Sequence, residues 1–159
     1  MFNVFLLLGS NLGDRDSYLQ QAIGQIEQHV GNVTKLSSLY ETQAWGKTDQ
    51  PDYLNQVVMV QTELLPREVL QQILAIELNL GRKRAEKWGA RTIDIDILFY
   101  ENIILNEADL IIPHPELQNR RFTLEPLAEI APGFVHPVLK TNMLQLKNNL
   151  GDCMVVKKL

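Results

Sequence analysis

The chain has 159 residues, 45% of them hydrophobic and 21% charged, with a formal net charge of −4; that fits a single domain, residues 1–159, and leaves no basic surface for broad binding to nucleic acid or anionic membrane. The lone cysteine, Cys153, excludes an intrachain disulfide and a cysteine-based zinc site. With no basic leader and only a short apolar run at its start, the chain reads as a cytoplasmic protein that spans no membrane.

Residues 2–8 form a continuous apolar run ended by Gly9 and read as a buried strand. Gly9-Ser10-Asn11-Leu12-Gly13-Asp14 is turn chemistry with a helix cap. Leu19, Ile23, Ile26 and Val30 then recur at helical spacing until Gly31-Asn32 stops them. Residues 33–40 read as a second strand, residues 42–51 as a polar loop carrying Trp45, and residues 54–64 as a long strand. Pro66 suits the first turn of a helix whose apolar positions are Val69, Leu70, Ile73, Ile76 and Leu80. Residues 81–91 show no period and are strongly basic. A strand over 92–100 turns at Glu101-Asn102, and residues 103–105 are expected to pair back on it. Phe122, Leu124, Leu127 and Ile130 predict a short helix, and residues 143–150 another. The order β-α-β-β-α-β is the split-βαβ, ferredoxin-like order. It predicts an α+β fold, an antiparallel sheet with helices packed on it, plus C-terminal helical elements.

The most informative segment is Arg91-Thr92-Ile93-Asp94-Ile95-Asp96-Ile97. Its period of two sends the isoleucines to one face and Asp94 and Asp96 to the other, about 6.5–7 Å apart. Aspartate is disfavoured in strands and the like charges repel, so something must offset the cost. Taken alone, the pair would also suit a solvated strand face. A divalent cation is the functional reading: Mg2+ takes one or two protein carboxylates and fills its shell with water and phosphate oxygens. No His and Cys cluster surrounds the pair to suit zinc.

The segment before that strand, Gly81-Arg82-Lys83-Arg84-Ala85-Glu86-Lys87-Trp88-Gly89-Ala90-Arg91, holds five basic residues and one acid in an otherwise acidic chain. Positive charge concentrated next to an acidic metal strand suits a polyphosphate, whose excess negative charge arginine holds in bidentate fashion. Gly81 and Gly89 suit a lid that closes to exclude water. No Walker-type loop, nucleophile elbow or dinucleotide fingerprint is present. Gly9-Ser10 with Asp14 and Asp16 faintly resembles a nucleotidyltransferase pattern, but the spacing is short. That reading, and a non-catalytic module for Mg2+-nucleotide, are the alternatives to a transferase.

These residues also resemble a family. Gly81-Arg82, Arg84, Trp88-Gly89, Arg91-Thr92, Asp94 and Asp96-Ile97 together are similar to the signature of the 6-hydroxymethyl-7,8-dihydropterin pyrophosphokinases. Gly9-Ser10-Asn11-Leu12, Gln50-Pro51-Asp52-Tyr53-Leu54-Asn55, Pro113-His114 and Asn119-Arg120 match in order along nearly the whole chain. The resemblance implies the ferredoxin-like fold and transfer of pyrophosphate from ATP to the pterin in folate biosynthesis. It implies that Asp94 and Asp96 bind two Mg2+ ions, and that Arg82 and Arg91 stabilise the transferring group. Glu77, Arg84, Trp88, Ile97, His114 and Arg120 would line the ATP site. Thr42, Trp45, Tyr53, Asn55 and Phe122 would form the pterin pocket. The chain departs from the family pattern at Gln43-Ala44-Trp45, Asp109, Ile111 and Pro115, which bears on substrate affinity. A monomer is expected, with ATP and the pterin as its partners.

Overall fold

The computed structural model describes residues 1–42, 52–81, 92–151 and 155–159. In chain order the first elements are β1 (Phe2–Ser10), α1 (Arg15–His29), β2 (Asn32–Leu36), β3 (Tyr40–Thr42), β4 (Tyr53–Thr62), α2 (Pro66–Asn79) and β5 (Asp94–Tyr100). There follow a small hairpin of β6 (Leu105–Glu107) and β7 (Leu110–Ile112), a 3-10 turn at Leu117–Asn119, α3 (Arg121–Ile130), α4 (Met143–Asn149) and β8 (Val156–Lys158). The sheet runs β5-β1-β4-β3-β8, with β2 also paired to β4. All its pairings are antiparallel. With β2 and β3 counted as one interrupted strand, this is the expected βαββαβ core.

Both faces of β1, an interior strand, are buried, because it is apolar at every position from Val4 to Leu8. Val4, Leu6 and Leu8 pack with Leu19, Ala22 and Ile26 of α1 and Val69, Ile73 and Ile76 of α2. Phe5 and Leu7 face the other way, onto Leu124, Leu127 and Met143 of α3 and α4. The sheet thus carries the expected packed helices on one face and the expected C-terminal helical elements on the other. The C-terminal helices close a second layer, in which the Phe5, Phe99 and Phe134 rings meet with centroids 4.7 to 6.0 Å apart.

Local chemistry explains the element ends. Asp14 caps α1, its carboxylate accepting from Ser17 N at 3.1 Å. Gly31 is more than a helix stop. A Cβ there would lie 2.1 Å from the Gln61 carbonyl oxygen, so only glycine lets the α1–β2 turn approach β4. The strand expected over 33–40 breaks at Ser37. Leu36 pairs with Val58 but Tyr40 pairs with Asn55, which leaves one extra residue on that side. Ser37 fills the gap, its hydroxyl accepting from Val57 N at 2.9 Å and its carbonyl accepting from Gln56 Nε2 at 2.8 Å. The pairing expected for residues 103–105 on β5 is also corrected: β6 begins at Leu105 and pairs with β7. Among the described residues, no helix is long and apolar enough to cross a membrane.

Candidate active site

One end of the sheet gathers the residues that the sequence singles out. There β1 and β3 end while β4 and β5 begin. Gly9 stands opposite Asn55 on β4 and opposite Asp94 on β5. Leu7 stands opposite Asp96, and Thr42 opposite Tyr53. Strand alternation therefore sets Thr42, Tyr53, Asn55, Asp94 and Asp96 on the face that carries Leu7, Val57 and Leu98, the face covered by α3. Ile93, Ile95 and Ile97 lie in the opposite core, as the alternation predicts. Asn55 and Asp94 are two strand spacings apart across Gly9, about 10 Å.

Gly9 shapes the middle of this surface. A Cβ there would sit 2.7 Å from Asn55 Nδ2. The missing side chain lets the Asn55 amide lie over β1, where Nδ2 donates to the Leu8 carbonyl at 3.4 Å. The Thr42, Ser10 and Thr123 hydroxyls are buried without a hydrogen-bond partner. Buried polar atoms are nearly always satisfied, so such hydroxyls mark places where a ligand or water supplies the bond. Arg15, the first residue of α1, ties together the chain next to Thr42 and Tyr53. It pairs with Glu41 at 2.9 Å and donates to the Asp52 carbonyl at 2.8 Å. Glu41 and Asp52 are the chain neighbours of Thr42 and Tyr53.

The acidic pair is half-buried. Between its members, Ile95 N donates to the carboxylate of Glu77 at 2.8 Å. Glu77 is 2% exposed on α2. It braces the backbone that carries both aspartates. Among the described residues, no group of three or more His, Cys, Asp and Glu could hold a metal. Two carboxylates on one face suit a hard cation that draws its other ligands from water and phosphate, so the donor set fits Mg2+ and not zinc.

A cleft of ≈ 310 Å3 runs between the β5 edge, Leu70 of α2 and the β6–β7 hairpin. Asp96, Ile97 and His114 line it together. His114 follows the cis Ile112–Pro113 peptide. Its backbone N donates to the Leu98 carbonyl at 3.0 Å, and its Nδ1 accepts from Glu116 N at 3.1 Å. That bond places the proton of the neutral imidazole on Nε2, where it can donate to an anion. Burial and the nearby Arg120 charge push the His114 pKa down, against the opposing pull of Glu116 and Asp94. Asp109 and Ile111, two of the departures from the family pattern, also line the cleft. Asp109 is engaged by Arg67 of α2 at 2.8 and 3.2 Å, and Arg67 also bonds Glu107. Arg120 lies with its guanidinium carbon 5.7 Å from the centroid of the Phe122 ring, at the start of α3.

Ten of the expected site residues are thus placed, and Trp45, Arg82, Arg84, Trp88 and Arg91 lie outside the described residues. Sequence reasoning missed the roles of Gly9 and Arg15. Gly9 is visible as a turn residue, but its contact with Asn55 depends on strand register.

Comparison with known proteins gives a consistent result. The sequence model of the family described as 7,8-dihydro-6-hydroxymethylpterin-pyrophosphokinase (HPPK) matches residues 5–132. The 2-amino-4-hydroxy-6-hydroxymethyldihydropteridine pyrophosphokinase of Aquifex aeolicus (strain VF5) is 43% identical over 147 residues, 92% of this chain and 91% of the relative. The Bacillus subtilis (strain 168) protein of the same name is 46% identical over 127 residues, 79% of this chain and 76% of the relative. Among solved structures, Plasmodium falciparum HPPK-DHPS superimposes with a TM-score of 0.72 at 20% identity, covering 93% of this chain and 43% of the Plasmodium chain. The fold is therefore shared with less than half of that longer protein.

Proposed function

The chain belongs to the 7,8-dihydro-6-hydroxymethylpterin-pyrophosphokinase family, and from that premise we propose that the sheet end described above transfers pyrophosphate from ATP to 6-hydroxymethyl-7,8-dihydropterin. The hydroxymethyl oxygen bonds to the β-phosphorus of ATP. The bond from that phosphorus to the oxygen bridging it to the α-phosphorus breaks, the β,γ-pyrophosphoryl group moves, and AMP leaves with the bridging oxygen. The hydroxyl proton passes to solvent. The product is the pterin diphosphate, a precursor of folate.

The observation that carries this reading is the register of β1. It brings Asp94 and Asp96 to the same face and the same sheet end as Thr42, Tyr53 and Asn55. We assign the Thr42–Tyr53–Asn55 side, with Phe122 across from it on α3, to the pterin. A flat bicycle rich in heteroatoms needs aromatic stacking and a few placed polar groups, and Tyr53, Phe122, the Asn55 amide and the unpartnered Thr42 hydroxyl supply them. The cleft lined by Asp96, Ile97 and His114 is assigned to the nucleotide. His114 Nε2–H and Arg120 offer donors to its phosphates. Arg82, Arg84, Trp88 and Arg91 complete that side on the family pattern, with Arg82 and Arg91 stabilising charge on the group in transit. Asp94 and Asp96 would hold Mg2+, two ions being expected. Bound there, Mg2+ supplies neutralisation of the triphosphate and charge stabilisation in the transition state. The work of the chain is positioning two substrates in line and excluding water. Residues 1–159 act as one catalytic domain, working as a cytoplasmic monomer.

Asp94→Asn and Asp96→Asn test the assignment. Each variant is expected to lose turnover by about 10³-fold or more while keeping its thermal midpoint and its affinity for pterin. Turnover near the parent rate at saturating Mg2+ in either variant contradicts it. The acidic pair alone would also serve nucleotidyl transfer, but the paired pocket with its aromatic residues favours the pterin reaction.

A further inference from the structure

We propose that Glu129 is a positioning residue that fixes the distance between the two walls of the pterin pocket. The inference rests on the assignment of Thr42 and Phe122 to that pocket. One wall is β3, which carries Thr42. The other is the N-terminal end of α3, which carries Phe122. Glu129 lies two turns along α3 from Phe122, and its carboxylate reaches across to β3 and the residues before it. Tyr40 OH donates to Oε1 at 2.8 Å, Ser38 N donates to Oε1 at 3.0 Å, and the Ser38 hydroxyl donates to Oε2 at 2.7 Å. Lys158 of β8 adds its charge at 3.8 Å from Oε2.

Three features make this a spacer for the pocket. Tyr40 and Thr42 lie on the same face of β3, two residues apart, so a pull on the Tyr40 ring is felt at Thr42. Tyr40 is itself 4% exposed and cannot swing to another partner without opening the core. The bulge at Ser37 interrupts the pairing with β4 just before β3, so β3 is held by three ladder pairs to β4 and three to the short β8, and the Glu129 contacts are what tie it to α3. Burial acts to raise the Glu129 pKa, but the hydrogen bonds from Ser38 and Tyr40 outweigh it and hold the group below its ordinary value. The carboxylate is therefore charged wherever the enzyme works, and its hydrogen bonds are of the stronger, charge-assisted kind.

Glu125 provides an internal control. It sits one turn earlier on α3 and makes comparable ion pairs, with Arg121 at 3.3 Å and Lys147 at 3.3 Å, both on the helical layer and neither on β3. The experiment is steady-state kinetics with ATP and 6-hydroxymethyl-7,8-dihydropterin on Glu129→Gln, Tyr40→Phe, their double variant and Glu125→Gln, with thermal midpoints alongside. Glu129→Gln is expected to raise the pterin KM about tenfold with the ATP KM unchanged. Tyr40→Phe is expected to give a smaller rise of the same kind, and the double variant less than the product of the two. Glu125→Gln is expected to leave both constants at parent values. An unchanged pterin KM in Glu129→Gln, or equal effects of Glu129→Gln and Glu125→Gln, overturns the proposal. If Glu129→Gln does not fold, Tyr40→Phe decides by the same criterion. Phe122→Ala separates the two levels: a raised pterin KM there with none in Glu129→Gln removes only the spacer, whereas no rise in Phe122→Ala removes the pocket assignment and the spacer with it.

Discussion

At Gly9 the missing side chain is what allows the Asn55 amide to lie across β1, between the two proposed substrate sides. Any Cβ there meets Asn55 Nδ2 at 2.7 Å, well inside contact distance. Gly9→Ala is expected to push the amide away and raise the pterin KM about tenfold, since overpacking of this kind costs about 1–3 kcal/mol. The ATP KM should stay put, because Gly9 is not part of the nucleotide cleft. Steady-state kinetics with each substrate varied in turn checks it, and equal changes in both constants would contradict the assignment of Asn55. The two aspartates were legible as a pair because a period of two needs only the local sequence. The Gly9–Asn55 contact joins residues 46 positions apart and becomes visible only once β1 and β4 are in register. Glu77 illustrates the same limit. Helical spacing puts it on α2, but its bond to Ile95 N depends on how that helix lies against β5.

Among the elements, the long regular ones followed from hydrophobic period, and the short ones did not. β1, α1, β4, α2 and β5 have enough residues for a pattern to repeat. β2 and β3 read as one strand because Ser37, which breaks them, looks like an ordinary strand residue until its hydroxyl takes over the Val57 N–H. β6, β7 and β8 are each three residues long, too short to show alternation. The stems of the pocket have a clamp of their own in Arg15. Its contacts with Glu41 and the Asp52 carbonyl tie α1 to both the end of β3 and the start of β4. Arg15→Ala is expected to raise the pterin KM about threefold to tenfold, consistent with a partly exposed charge-assisted pair. Added salt should move the parent enzyme's pterin KM in the same direction. A pterin KM that ignores both changes would show that the stems hold themselves.

For the whole molecule, helices cover both faces of the sheet, and the proposed site lies at one sheet end. The C-terminal helices were legible as elements, but not their place on the second face. The apolar residues of α3 and α4 mark buried helices without saying which side of the sheet they cover. Burying that layer has a consequence for acid stability. His136 is 4% exposed, packs edge-on against Phe99, and accepts from Val138 N and Leu139 N through Nδ1. Burial lowers its pKa below 6.5, and burial together with Arg120 lowers that of His114. The unfolded chain takes up these protons near 6.5 while the folded chain resists. Stability is therefore full above that pH and is lost as pH falls from there toward the lowered folded values. Urea midpoints measured across that window should rise with pH, and His136→Gln should flatten part of the slope. A midpoint that rises on acidification through the window would contradict the sign.

The central claim is that this site moves the β- and γ-phosphoryl groups of ATP together onto the pterin. The most direct test is to supply ATP labelled at the β-phosphorus with 6-hydroxymethyl-7,8-dihydropterin and Mg2+, then separate the products. All label transferred is expected in the pterin diphosphate, with AMP unlabelled and formed only when pterin is present. Label retained in ADP, or released as free pyrophosphate with the α-phosphoryl group on the pterin, would contradict it.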